Sequence, residues 1–121
     1  MMNDPQENLI VQKSRQFAIR IINLYKYLLK EKKEYVLSKQ LVRSGTSIGA
    51  NVKEATRGQS RPDFLSKMNI ALKEAAETEY WLDLMQATGF LTQPQFESIQ
   101  PDIEEIIRIL CKIVQTTRNT K

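Results

Sequence analysis

The sequence predicts an all-α chain folded as an antiparallel, up-down four-helix bundle. Three observations carry this prediction. Four long segments place apolar residues at steps of three and four, the spacing of one helix face. Short stretches with turn or cap signals separate them. Only four glycines and four prolines occur in 121 residues, too few for a loop-rich or all-β chain. Helices joined by short connections close most simply as an antiparallel bundle. The length suits a single domain over 1–121, and is enough to bury a core.

The first helix is expected over about residues 8–33. Asp4-Pro5-Gln6-Glu7 also has the form of a cap with an early proline and an acid, which would start it sooner. Ile10, Phe17, Ile21, Leu24 and Leu28 fall on one face, widened by Ala18, Tyr25 and Leu29. From Leu9 to Lys33 there are seven basic residues and one acid, Glu31, and the basic ones mostly avoid that face.

The second helix is expected over about 38–57, with Ser38 as its N-cap. At about 100° per residue, Leu37, Leu41, Ser44, Ile48, Val52 and Ala55 share one side. Lys39, Arg43, Lys53 and Arg57 share the other. The run Ser44, Gly45, Thr46, Ser47, Gly49, Ala50 is unusual for a helix. Two internal glycines cost about 1 kcal/mol each relative to alanine, so close packing against a neighbouring helix is the expected compensation. Gly58 is read as the C′ residue that ends the helix.

Ser60-Arg61-Pro62-Asp63 restarts the chain as an S-x-x-D cap. The third helix, about 61–88, carries Phe64, Met68, Ala71, Ala75, Thr78, Leu82 and Met85 in a heptad seam. A second apolar stripe, Ile70, Trp81 and Leu84, lies off that seam. A helix with two apolar stripes is commonly covered on two sides, so this stripe is the candidate subunit interface, the alternative being a wide core face. Gly89 breaks the helix. Thr92-Gln93-Pro94-Gln95 has the T-x-x-Q form of a further capping box. The fourth helix, about 93–118, places Ile99, Ile103, Ile106, Leu110, Ile113 and Thr117 on one seam. Pro101 removes a hydrogen bond and crowds the preceding turn, predicting a kink or break there.

Composition excludes several chemistries. There is no histidine, so the commonest general base and metal ligand are missing. The single cysteine, Cys111, has no intrachain partner and is read as a small core hydrophobe. Gly45 and Gly49 are not followed by G-K-[ST], and no G-x-G-x-x-G occurs, so neither phosphate-loop pattern is met. Glu74, Glu77, Glu79 and Asp83 cluster on the third helix, but a bundle di-metal site needs E-x-x-H pairs. These acids are expected to pair with cations of neighbouring helices or subunits; Glu77, and Glu54 of the second helix, are the candidates for partly buried pairing, the alternative being solvated acids. Tyr80 and Trp81 are expected in a core or interface rather than as a base-stacking platform. No metal or cofactor is expected. The N-terminal segment lacks a signal-peptide pattern, and no apolar run approaches the ~18 residues of a membrane span, so a cytoplasmic protein without membrane contact is expected.

Two stretches, QLVRSGTSIGANVKEA (40–55) and KEAAETEYWLDLMQATGFL (73–91), resemble the four-helix-bundle family linked to 23S rRNA intervening sequences, also known as the S23 ribosomal protein family. The resemblance extends over nearly the whole chain, helix order included. It implies an up-down bundle, assembly as a homopentameric ring and no enzymatic activity. Relatives that accompany diversity-generating retroelements are basic, bind nucleic acid and contact a reverse transcriptase.

Charge supplies the remaining functional signal. Residues 1–60 hold 11 Lys+Arg and five acids, while residues 61–121 hold seven and nine. The outer faces of the first two helices are therefore positive, and repetition around a ring would build a substantial field. The leading expectation is a non-enzymatic homo-oligomer that binds RNA or DNA through Lys13, Arg15, Arg20, Lys26, Lys39, Arg43, Lys53 and Arg57. The alternative is a ring-shaped scaffold for a protein partner such as a reverse transcriptase.

Overall fold

The computed structural model describes residues 5–119. It contains α1 (Pro5–Lys30), α2 (Leu37–Thr56), α3 (Arg61–Ala87) and α4 (Gln93–Asn119), with no strand among the described residues. Each helix packs on the next, and α4 closes more sparsely onto α1. At about 1.5 Å per residue, the short connections cannot carry the chain back along a helix, so sequential neighbours run antiparallel. The architecture is the all-α four-helix bundle that the apolar periodicity predicts.

The predicted seams form the core. All seven seam residues of α3 are buried, as are Ile10, Phe17, Ile21 and Leu28 of α1. From α4, Ile99, Ile103, Ile106, Leu110 and Ile113 join them, with Ile109 and Val114 widening the face. Cys111 is half-buried at the edge of this core rather than inside it.

Several helix ends differ from expectation. α1 begins at Pro5, in line with the earlier of the two expected starts; Asp4 lies outside the described residues. It ends at Lys30 rather than Lys33, and Lys33 turns the chain with φ 53°. Ser60 caps α3 as expected, accepting from the Asp63 N–H at 3.2 Å. Thr92 and Gln95 form a reciprocal capping box: the Gln95 N–H donates to the Thr92 hydroxyl and the Thr92 N–H to Gln95 Oε1. Gly89 ends the α3 segment with φ 86°, a left-handed conformation that glycine adopts without steric cost. α4 neither stops nor restarts at Pro101. The carbonyl that Pro101 deprives of an N–H donor is that of Glu97; the adjacent Ser98 carbonyl accepts from Arg20 Nη1 at 3.0 Å, which ties α1 to this turn of α4.

Ser38 is not the cap of α2. The buried Glu34 side chain takes that role, accepting from the N–H groups of Val36, Leu37 and Ser38. The Ser38 hydroxyl instead donates to the Glu34 carbonyl at 2.6 Å. A carboxylate at a helix N-terminus gains both charge-assisted hydrogen bonds and a favourable dipole. Glu34→Ala is therefore expected to cost about 1–2 kcal/mol in urea denaturation, while Ser38→Ala costs less.

The small residues of α2 serve packing. A Cβ on Gly45 would lie 2.9 Å from Ile21 Cγ2, and one on Gly49 would lie 3.4 Å from the Ser14 carbonyl oxygen. On the α3 side, the buried hydroxyls of Ser44 and Thr78 lie 2.9 Å apart, with Thr78 also 2.8 Å from the Glu74 carbonyl. One small-residue helix thus approaches α1 closely and fixes its register on α3 with a buried polar pair.

Candidate nucleic-acid interface

The eight basic residues divide into two groups. Lys13, Arg20 and Arg43 bridge helices. Lys13 Nζ lies 3.1 Å from Glu105 Oε1. Arg20 lies 2.7 Å from Asp102 Oδ2 and also donates to the Ser98 hydroxyl. These contacts join α1 to α4 along the sparsely packed side of the bundle. Arg43 joins α2 to α3, lying 3.3 Å from Glu74 Oε2 and donating to Glu77. Their positive charge is largely answered within the chain.

Arg15, Lys26, Lys39, Lys53 and Arg57 are exposed, and none joins an ion pair among the described residues. Arg15 and Lys26 point outward from α1. Lys39, Lys53 and Arg57 point outward from α2, at steps of fourteen and four residues. The helices bring Arg15 and Lys53 to one groove of about 310 Å³ between α1 and α2, whose lining includes Ala18, Thr46, Gly49 and Ala50. Exposed apolar residues Ile19 and Ile22 stand beside Arg15 and Lys26 on α1.

The stripe proposed as an oligomer interface has a mixed environment. Ile70 is 38% exposed, whereas Trp81 and Leu84 are half-buried. The Trp81 indole N–H donates to Glu77 Oε2 at 3.0 Å. Tyr80, 55% exposed, packs its ring at a tilt against Trp81 with 5.3 Å between centroids. Glu54 and Glu77 are both paired, but Glu54, with Lys67 at 3.5 Å, is exposed, and only Glu77 is half-buried.

The Trp81 hydrogen bond, followed by the Arg43 guanidinium, holds the Glu77 carboxyl below the ordinary carboxylate range against an opposing desolvation effect. Arg43 is correspondingly held protonated, chiefly by its bond to Glu77. A carboxyl whose folded-state pKa is depressed contributes stability above the unfolded value, and that contribution disappears as pH falls through the folded value. Stability should therefore decline as pH drops below about 4.3, the ordinary glutamate value. Glu77→Gln should flatten that part of the acid profile. Trp81 is the sole tryptophan, so its emission in the folded protein should follow the same titration in the parent and not in the variant.

Among the described residues, no group of three or more His, Cys, Asp or Glu side chains could hold a metal ion. No helix among them is long and apolar enough to cross a membrane. Fold and surface together define a small helical-bundle protein with one basic flank. The chain belongs to the 23S rRNA-intervening sequence protein family, whose model matches residues 6–112. It is similar to a protein of unknown function from the S23 ribosomal protein family of Bacteroides thetaiotaomicron, known from a crystal structure. The two share 55% identity over 91% of this chain and 98% of that one, with a TM-score of 0.89. No curated protein matches the sequence.

Proposed function

We propose that this protein is a non-enzymatic, self-associating bundle that holds RNA or DNA by its phosphates on the flank shared by α1 and α2. The observation that carries the reading is the separation of the cations. Three are paired with carboxylates across helix seams, while Arg15, Lys26, Lys39, Lys53 and Arg57 are exposed on adjoining helices with no ion pair among the described residues. Phosphate backbones release counterions to such a surface without sequence preference. Self-association uses the outer stripe of α3, where Ile70 and Tyr80 expose apolar area beside Trp81 and Leu84. It would repeat the basic flank around the assembly.

Fluorescence anisotropy of a labelled structured RNA and a DNA duplex, repeated across salt concentrations, tests the binding. Micromolar or tighter affinity that falls steeply with salt is the expected result, and absence of binding at low salt would refute it. Sedimentation over a concentration series tests the assembly, for which a strictly monomeric chain is the contrary result. A second reading, a scaffold for a protein partner such as a reverse transcriptase, is favoured by Ile19 and Ile22, whose exposed apolar surface a phosphate backbone does not cover.

A further inference from the structure

A groove runs between α1 and α2. Resting on the phosphate-binding reading above, we infer that it seats an unpaired base, so that the protein prefers single-stranded or looped nucleic acid over a continuous duplex. Arg15 from α1 and Lys53 from α2 line this groove, and neither has a carboxylate partner among the described residues. Between them the lining is truncated. Ala18, Gly49 and Ala50 carry no side chain beyond Cβ, and the Thr46 hydroxyl is already used, donating to the Val42 carbonyl at 2.7 Å.

The resulting space is about 310 Å³, at the small end of ligand sites, which run from about 300 Å³ upward. It has room for one planar base and not for a folded element. Its depth follows from the helix packing already described. Gly49 lets α2 approach the Ser14 backbone of α1, and the small neighbours leave the outer part of that contact unfilled.

Charge complementarity selects the occupant. The two unpaired cations call for an anion on each side of a recessed apolar surface. A duplex presents phosphates on a convex ribbon with its bases stacked inside, so it reaches the cations and leaves the recess uncovered. A single strand offers successive phosphates with a base between them that is free to turn inward. An aliphatic floor covers one face of that base and forms no base-specific hydrogen bonds, so little sequence preference is expected.

The test compares the full-length protein with Ala50→Leu, which fills the recess from an exposed helix position without changing charge. Thr46→Leu serves as a second variant, and circular dichroism melting checks both folds. The probes are a labelled single-stranded RNA carrying 2-aminopurine and the same RNA annealed to its complement. The parent should bind the single strand at least tenfold more tightly, with a change in 2-aminopurine emission. Each recess-filling variant should weaken single-strand binding about tenfold and leave duplex binding unchanged.

Equal affinity for the two forms, unmoved by either variant but weakened by Arg15→Glu/Lys53→Glu, would overturn the base-seating inference while leaving phosphate binding intact. Absence of binding to either form at low salt would overturn the underlying reading as well. Displacement of both RNA forms by an acidic amphipathic peptide, with displacement lost in Ala50→Leu and no single-strand preference, would assign the groove to a protein helix and also overturn the inference.

Discussion

Gly45→Leu is expected to destabilise the bundle by about 3 kcal/mol or more, at the upper end of overpacking costs. The contact leaves little alternative. Even a methyl group at Gly45 would sit 2.9 Å from Cγ2 and 3.0 Å from Cγ1 of Ile21, and Ile21 is fully buried. A β-branched side chain in a helix has one strongly preferred χ1 rotamer, so Ile21 cannot simply swing aside. Relief must come from separating α1 from α2. Gly45→Ala should be milder, because about 1 kcal/mol of helix propensity offsets part of the clash. Gly49→Ala is the informative contrast. Its Cβ would meet the Ser14 carbonyl oxygen at 3.4 Å, at the edge of ordinary contact, so the propensity gain should leave stability unchanged or raised by up to about 1 kcal/mol. Urea denaturation of the three variants separates these outcomes. If Gly45→Ala and Gly49→Ala were equally benign, the α1–α2 approach would be wider than described. Combining Gly45→Ala with Ile21→Ala, which removes both Cγ atoms of the clash, should cost less than the sum of the two single changes, a non-additivity that only contacting residues show.

The reason the sequence announced this helix and not its contacts lies in the range of the interactions. Apolar spacing is local, so all four helices and the α3 seam were legible from residue order. So were the capping boxes at Ser60 and Thr92, because each box spans only a few residues. The cap of α2 was not. Glu34 lies three residues before the helix and reaches forward with a long side chain, whereas the familiar signal is a short side chain at the cap itself, which drew attention to Ser38.

The basic face shows the same limit. Helical geometry put the cations outside the apolar stripes, but pairing depends on what stands across the seam. Arg20 meets Ser98 and Asp102, 78 and 82 residues further along, and Arg43 meets Glu74 and Glu77, 31 and 34 residues along. Nothing near Arg20 or Arg43 in the chain separates them from Lys39 or Lys53. The groove between Arg15 and Lys53 was hidden for a related reason. Glycine, alanine and threonine at positions 46, 49 and 50 read as close-packing residues, and only the placement of α1 shows that part of the space they leave faces outward.

The separation of paired from unpaired cations sets the largest functional effect. Reversing Lys39, Lys53 and Arg57 to glutamate should weaken nucleic-acid binding on the order of 100-fold near 0.1 M salt, through lost phosphate contacts and added repulsion. The dependence of log affinity on log salt should also become shallower by about two to three, since each phosphate contact contributes nearly one unit on a duplex and somewhat less on a single strand. All three residues are exposed and have no ion pair among the described residues, so the melting temperature should barely change. The control reverses Lys73, Lys112 and Arg118, which are exposed on α3 and α4. Both triple variants exchange three positive charges for three negative ones and so carry the same net charge. A field set by net charge alone would weaken binding equally in both, whereas a surface that touches phosphates loses affinity mainly in the first. Arg20→Gln offers the converse comparison. Its guanidinium is held by Ser98 and Asp102, so its loss should lower stability by loosening the α1–α4 seam while the salt dependence of binding stays close to the parent's. If Arg20→Gln instead reduced the salt slope while the triple reversal on α2 did not, the binding surface would lie on the α1–α4 side, and the unpaired flank would be a solvated face.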